Sequence, residues 1–106
     1  MPGRRTVPDV TSPTVRDVPE SQRYEITQDG AVLGFAAYQQ SGSLRIFTHT
    51  EVDDAAEGQG VGSRLARAAL DDVRARDLKA VPRCPFIRGW IDRHPEYADL
   101  VTEPPR

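Results

Sequence analysis

Between Glu57 and Ser63 the chain reads Glu-Gly-Gln-Gly-Val-Gly-Ser, with glycine at every second position. A glycine run that opens a helix leaves the first-turn N–H groups without intrahelical partners and aimed at one point. Missing Cβ atoms let a ligand's oxygens approach that backbone closely, and the helix dipole adds partial positive charge. The guest such a turn suits is a phosphate or pyrophosphate. A second reactive type is Cys84, which immediately precedes Pro85. A thiol at a helix N-terminus beside Arg83 is biased towards the nucleophilic thiolate. The plainer reading of the same residue is a small buried hydrophobe. His49 and Glu51 share one face of an extended segment and could relay a proton. His49 reads equally well as a hydrogen-bonded structural residue.

These groups need a strand before the glycines and a helix after them. Leu44 to Val52 is rich in apolar and β-branched residues, and Val61, Leu65, Ala68, Ala69 and Val73 fall on one helical face. The helix is expected from about Gly60 to Asp77. Arg64, Arg67, Asp71 and Arg74 lie on its outer face, and Asp72 and Arg76 pair at i, i+4. Upstream, Arg23 to Gln28 and Ala31 to Gln39 flank Asp29-Gly30, a strong hairpin signal. Ser41-Gly42-Ser43 makes a second turn, so three strands form an antiparallel meander. Simple alternation on the third strand points Leu44, Ile46, Thr48, Thr50 and Val52 one way and Arg45, Phe47, His49 and Glu51 the other. Lys79 to Arg83 is a fourth strand, parallel to Leu44–Val52 through a right-handed crossover. Pro85 suits the first position of a second helix, with Phe86, Ile87, Trp90 and Ile91 as its apolar stripe. Trp90 reads most simply as core, and His94 beside Pro95 as a helix-terminating residue more than a ligand. Glu96 to Val101 adds a further turn or a short strand. The order is β-β-β-α-β-α, without internal repeat.

A length of 106 residues bounds this to one domain. Prolines at 2, 8, 13 and 19 among polar residues predict a disordered segment over residues 1–22. The folded domain is then 23–102, and 103–106 is a tail. A net charge of −2 with both signs interspersed argues against a nucleic-acid surface. One cysteine excludes an internal disulfide, and two histidines so far from it give no metal site. No apolar run is long enough to span a membrane, and Arg4-Arg5 has no apolar stretch behind it to make a leader. A cytoplasmic location is the simplest expectation.

Val52-Asp53-Asp54-Ala55-Ala56-Glu57-Gly58-Gln59-Gly60-Val61-Gly62 resembles the acetyl-CoA motif of the GNAT N-acetyltransferase superfamily. In that motif a strand ends in valine and a short loop leads to Arg/Gln-Gly-x-Gly-Ile/Val-Gly/Ala at a helix start. His49-Thr50-Glu51-Val52, Cys84-Pro85-Phe86 and His94-Pro95-Glu96-Tyr97 narrow the resemblance to the small single-domain, YjdJ-type branch. It covers about Arg23 to Val101. It implies an α/β (α+β) fold with a mixed sheet and an acetyl-CoA cleft between two splayed parallel strands. The cofactor would rest its pyrophosphate on the turn formed by Glu57, Gly58, Gln59, Gly60, Val61, Gly62 and Ser63. Thr50 and Val52 would offer backbone groups to the pantetheine amides, and an N–H near Val52 would polarise the thioester carbonyl. Cys84 would lie close to the acetyl thioester, and His49 or Glu51 would take the proton from the amine.

The implied activity is transfer of an acetyl group from acetyl-CoA to a primary amine. Direct attack is the default mechanism and an acetyl-Cys84 intermediate the variant. Two departures from the superfamily matter. Glu57 stands where Arg or Gln is usual, and the long helical segment that usually covers the acceptor is missing. An uncovered site suits a protein, peptide or polyamine amine, and a second subunit in a homodimer could complete it. The other reading is a non-catalytic acyl-CoA-binding or protein-interaction module on the same fold.

Overall fold

Asp29 and Gly30 both take positive φ, 54° and 82°, and so close a tight hairpin between the strands they separate. In the computed structural model, which describes residues 13–53 and 60–102, those strands are β2 (Arg23–Gln28) and β3 (Ala31–Ser41). Around them the chain runs β1 (Thr14–Val18), β4 (Leu44–Val52), α1 (Val61–Ala75), β5 (Lys79–Pro82), α2 (Pro85–Asp92) and a terminal 3-10 helix, Pro95–Leu100. The sheet order is β1-β2-β3-β4-β5. The first four strands are antiparallel to their neighbours and β5 is parallel to β4. The expected mixed sheet with a parallel crossover is therefore present. Among the described residues no helix is long and apolar enough to cross a membrane.

One strand was not expected. Thr14–Val18 falls inside the segment that composition marked as disordered, yet it forms the edge strand and pairs with Thr27 to Arg23. Its inward residues are Val15 and Asp17, so an apolar count misses half of what fixes it. Asp17 accepts a hydrogen bond from the Tyr38 hydroxyl (2.5 Å) and lies 3.5 Å from the Arg45 guanidinium. This polar anchor adds to the buried side chain of Val18 at the end of the strand.

The core lies between one sheet face and the helices. Tyr24, Ile26, Ala36, Tyr38 and Phe47 from the sheet meet Val61, Leu65, Ala66, Ala69, Leu70 and Val73 from α1 in a single buried cluster. Three residues of α1 that periodicity placed outside, Arg67, Asp71 and Arg74, hold the terminal 3-10 helix. Tyr97 donates to Asp71 (2.6 Å) and accepts from Arg67 (3.1 Å), while Arg74 grips Asp99 at 2.9 Å. Asp72 and Arg76 form the expected pair at 2.7 Å.

Two core hydroxyls make the fold sensitive to alkali. Burial, reinforced by the bond to Asp17, pushes Tyr38 from 10.0 up to about 12. Burial and the bond to Asp72 push Tyr24 higher still. A pKa raised by folding stabilises fully below the unfolded value of about 10 and loses that contribution as pH climbs through the folded one. Tyrosinate absorbance from Tyr24 and Tyr38 should therefore rise together with loss of far-UV circular dichroism between about pH 10 and 12. Free ionisation of both in a folded protein at pH 10 would contradict the buried network.

Candidate functional site

β5 pairs along its whole length, but only with the first half of β4. The register runs Leu44 to Lys79, Arg45 to Ala80, Ile46 to Val81 and Phe47 to Pro82, and there it stops. The last bridge between them is the Cys84 N–H donating to the Phe47 carbonyl at 3.0 Å. Beyond it, the β5-facing edge of Thr48 to Val52 has no strand partner among the described residues, and the two strands part.

A bulge decides what that freed edge presents. On the β3 side Ala37 faces His49 but Tyr38 faces Phe47, so Thr48 is an extra residue. One inserted residue reverses the alternation of everything after it. Phe47 therefore shares its face with Thr50 and Val52, not with His49 and Glu51 as unbroken alternation predicts. Gly34 backs this region, because a Cβ there would lie 2.6 Å from the Glu51 carbonyl oxygen.

The glycine turn supplies the facing wall. Gly60 is the N-cap of α1 with φ 75°, a left-handed conformation natural to glycine. The first bond of the helix is Arg64 N–H to Gly60 C=O, 3.0 Å, which leaves the N–H groups of Val61, Gly62 and Ser63 ahead of it. A Cβ at Gly62 would sit 2.7 Å from the tip of the Phe86 ring, so glycine lets that ring lie against the start of α1 where a larger residue would make it shift. Trp90 then donates its indole N–H to the Ser63 hydroxyl at 2.8 Å and ties the two helices together. Glu57, Gly58 and Gln59 lie outside the described residues.

Between these walls is a cleft of about 490 Å³, lined by Thr50, Val52, Gly60–Ser63, Phe86, Trp90, Arg93 and His94. The sequence-expected cofactor residues Thr50, Val52, Gly60, Val61, Gly62 and Ser63 thus come together. Phe86, Arg93 and His94 were not expected there. Phe86, Trp90 and Arg93 stand at i, i+4 and i+7, a helical stripe that would have revealed them had the apolar pattern not pointed to core alone. His94 does end α2, and it also walls the cleft. Its ring stacks on Trp90 at 3.8 Å, and its Nδ1 is 2.7 Å from the Trp90 carbonyl. That contact makes Nδ1 the protonated nitrogen, which leaves Nε2 for other partners.

The expected catalytic residues divide. Cys84 is the N-cap of α2, as its place before Pro85 implied, but it makes no side-chain cap bond. The residue is 3% exposed, and its thiol donates to the Thr50 hydroxyl at 3.2 Å. It therefore sits behind Thr50 in the seam where β4 and β5 part. His49 and Glu51 pair at 2.8 Å, both exposed, on the sheet face away from Thr50 and Val52. The structure does not bring them to Cys84.

This arrangement has counterparts. A family model described as GCN5-related N-acetyl-transferase matches residues 23–100. Protein NATD1 of Xenopus tropicalis is 38% identical over 76 residues, covering 71% of this chain and 67% of that protein. Protein NATD1 of Danio rerio is 34% identical over 84 residues, 76% of this chain and 74% of that one. Protein NATD1 of Mus musculus reaches 47% identity over 47 residues, but the match spans 44% of this chain and 43% of the relative. Among solved structures, a GCN5-like protein from Staphylococcus aureus superposes with a TM-score of 0.66 at 22% identity, covering 88% of this chain and 91% of that one. That likeness speaks for the fold. By the extent of the family match, the chain belongs to the GCN5-related N-acetyltransferase family.

Proposed function

We propose that the protein transfers an acetyl group from acetyl-CoA to a primary amine borne by a protein, peptide or polyamine. The observation that carries this reading is that a strand edge, Thr48–Val52, without a strand partner among the described residues meets the first-turn N–H groups of Val61, Gly62 and Ser63 at one cleft. The residues fit the group: the described lining carries no carboxylate, and Gly60 has nothing within 4 Å of a Cβ position. When bound, acetyl-CoA supplies the acetyl thioester that the amine attacks, with the CoA thiol as leaving group.

The chain's own residues have separable parts in this proposal. The α1 N–H groups hold the pyrophosphate through charge-assisted hydrogen bonds. The freed edge of β4 receives the amide-bearing arm and offers an N–H near Val52 to the developing oxyanion. Thr50, fixed by the thiol of Cys84, lines the narrow end. The His49–Glu51 pair takes the ammonium proton from the opposite face of the sheet, where both side chains are exposed and leave room for a large acceptor.

Mixing the protein with acetyl-CoA and a panel of lysine peptides and polyamines should release free CoA. Cys84→Ser keeps a hydroxyl donor for Thr50, so its transfer rate should stay within about threefold of wild type if the amine attacks directly. A loss of a hundredfold with CoA affinity unchanged would instead assign an acetyl-thioester intermediate to Cys84. The second reading, a non-catalytic acyl-CoA-binding module, draws on the separation of His49 and Glu51 from the cleft. Tight CoA binding with no transfer to any amine would favour it.

A further inference from the structure

The segment that leads into the glycine turn is short of positive charge. From Glu51 to Ser63 the sequence brings Glu51, Asp53, Asp54 and Glu57 and no lysine or arginine. A pyrophosphate carries negative charge that backbone N–H groups and a helix dipole only partly balance. Arg64 follows at once on α1 but is not among the residues that line the cleft, so a cation inside it has to come from another element.

Arg93 is placed to provide it. It stands at the C-cap of α2, and its side chain lines the same cleft as Gly60, Gly62 and Ser63. Along α2 it follows Phe86, which touches Gly62, and Trp90, which bonds Ser63, on one stripe. Its guanidinium runs back over Gly89, 3.6 Å from where a Cβ would be. Among the described residues Arg93 forms no side-chain hydrogen bond or ion pair, whereas Arg23, Arg45, Arg74 and Arg76 are each committed to a carboxylate. An arginine kept without a counter-ion in a cleft with no described carboxylate is suited to an anionic guest.

We propose that Arg93 is the cationic half of the phosphate site. It faces the α1 N-terminus across the cleft and pairs with the pyrophosphate that rests there, so that the phosphate is gripped by one helix start and one helix end. This rests on the acyl-CoA reading above and adds to it a residue that sets preference for the nucleotide-bearing ligand over its phosphate-free arm. His94 shapes the same wall through its stack on Trp90.

Calorimetry with CoA, dephospho-CoA and pantetheine tests it. Arg93 is exposed and unbonded, so Arg93→Gln should fold as wild type by circular dichroism. It should weaken CoA and dephospho-CoA equally, by about tenfold or more, the worth of a charge-assisted hydrogen bond. Pantetheine should bind Arg93→Gln and wild type alike, and Arg93→Lys should recover part of the loss. Equal CoA affinity in wild type and Arg93→Gln overturns the proposal while leaving the acyl-CoA reading intact. A loss confined to CoA would move Arg93 to the 3′-phosphate and also overturn it. If wild type binds none of the three ligands, the acyl-CoA reading fails and this proposal fails with it.

Discussion

Arg45→Met should lower the melting temperature by roughly 15 °C or more, the largest loss of stability expected from any one of the changes considered. Arg45 is 6% exposed, on a face otherwise made of Tyr24, Ala36, Tyr38 and Phe47. Its guanidinium donates to the Tyr24 hydroxyl at 2.7 Å and to Gln40 at 2.7 Å, and lies 4.2 Å over the Tyr38 ring. Asp17 and Asp72 each place a carboxylate oxygen 3.5 Å from it. Asp17 Oδ2 is buried without a hydrogen bond and is faced by the guanidiniums of Arg45 and Arg76, while Oδ1 accepts from the Tyr38 hydroxyl. Methionine fills most of the volume but removes the charge. What remains is a buried carboxylate whose main compensation is gone, a situation that costs about 3–5 kcal/mol. The tie between β1 and the rest of the sheet should loosen first. Asp17→Asn in the same background should recover part of the loss, because the two changes act on one interaction. A melting point within a few degrees of wild type would show that β1 and α1 are held by apolar contact and that the ion network is incidental.

That network also shows where sequence reading stops. β4 was legible as a strand because it is rich in apolar and β-branched residues, α1 because it carries one clear period, and Asp29-Gly30 because the residue types demand the turn. The cleft was legible at the glycines, whose spacing fits a helix start that meets phosphate. β1 was not, since Asp17 is an inward residue that looks like an outward one until Tyr38 and Arg45 are placed beside it. The expected domain start at residue 23 therefore leaves out a strand of the sheet. Arg45 failed for the same reason: alternation put it with His49 and Glu51. A single unpaired residue, Thr48, reverses the faces halfway along β4, and no local signal distinguishes that threonine from its neighbours. Yet the reversal decides function, because it turns Thr50 and Val52 into the cleft and His49 and Glu51 away from it. Arg93 and His94 were hidden differently, by lying at a helix end whose role depends on what α2 packs against.

The second large effect is on ligand binding. Gly60→Asp should weaken CoA at least tenfold, and as much as a hundredfold at low salt. Gly60 has φ 75°, and aspartate, unlike most residues, tolerates the left-handed region through its short polar side chain. A Cβ there has nothing within 4 Å, so the fold should survive with a loss of about 1 kcal/mol. At an N-cap the new carboxylate can accept from the first-turn N–H groups. Those are the donors of Gly62 and Ser63 that the pyrophosphate would use. The substitution therefore removes donors and places a like charge where the phosphates approach. Gly60→Asn separates these effects. It adds the same bulk and similar capping without the charge, so it should lose less, and its difference from Gly60→Asp should shrink as salt is raised. Gly60→Ala isolates backbone strain and should show in stability more than in affinity. Pantetheine has no phosphate and should bind all of these variants alike. A folded Gly60→Asp protein with wild-type CoA affinity would mean that the phosphates do not sit on the start of α1, and the cleft would need a different guest.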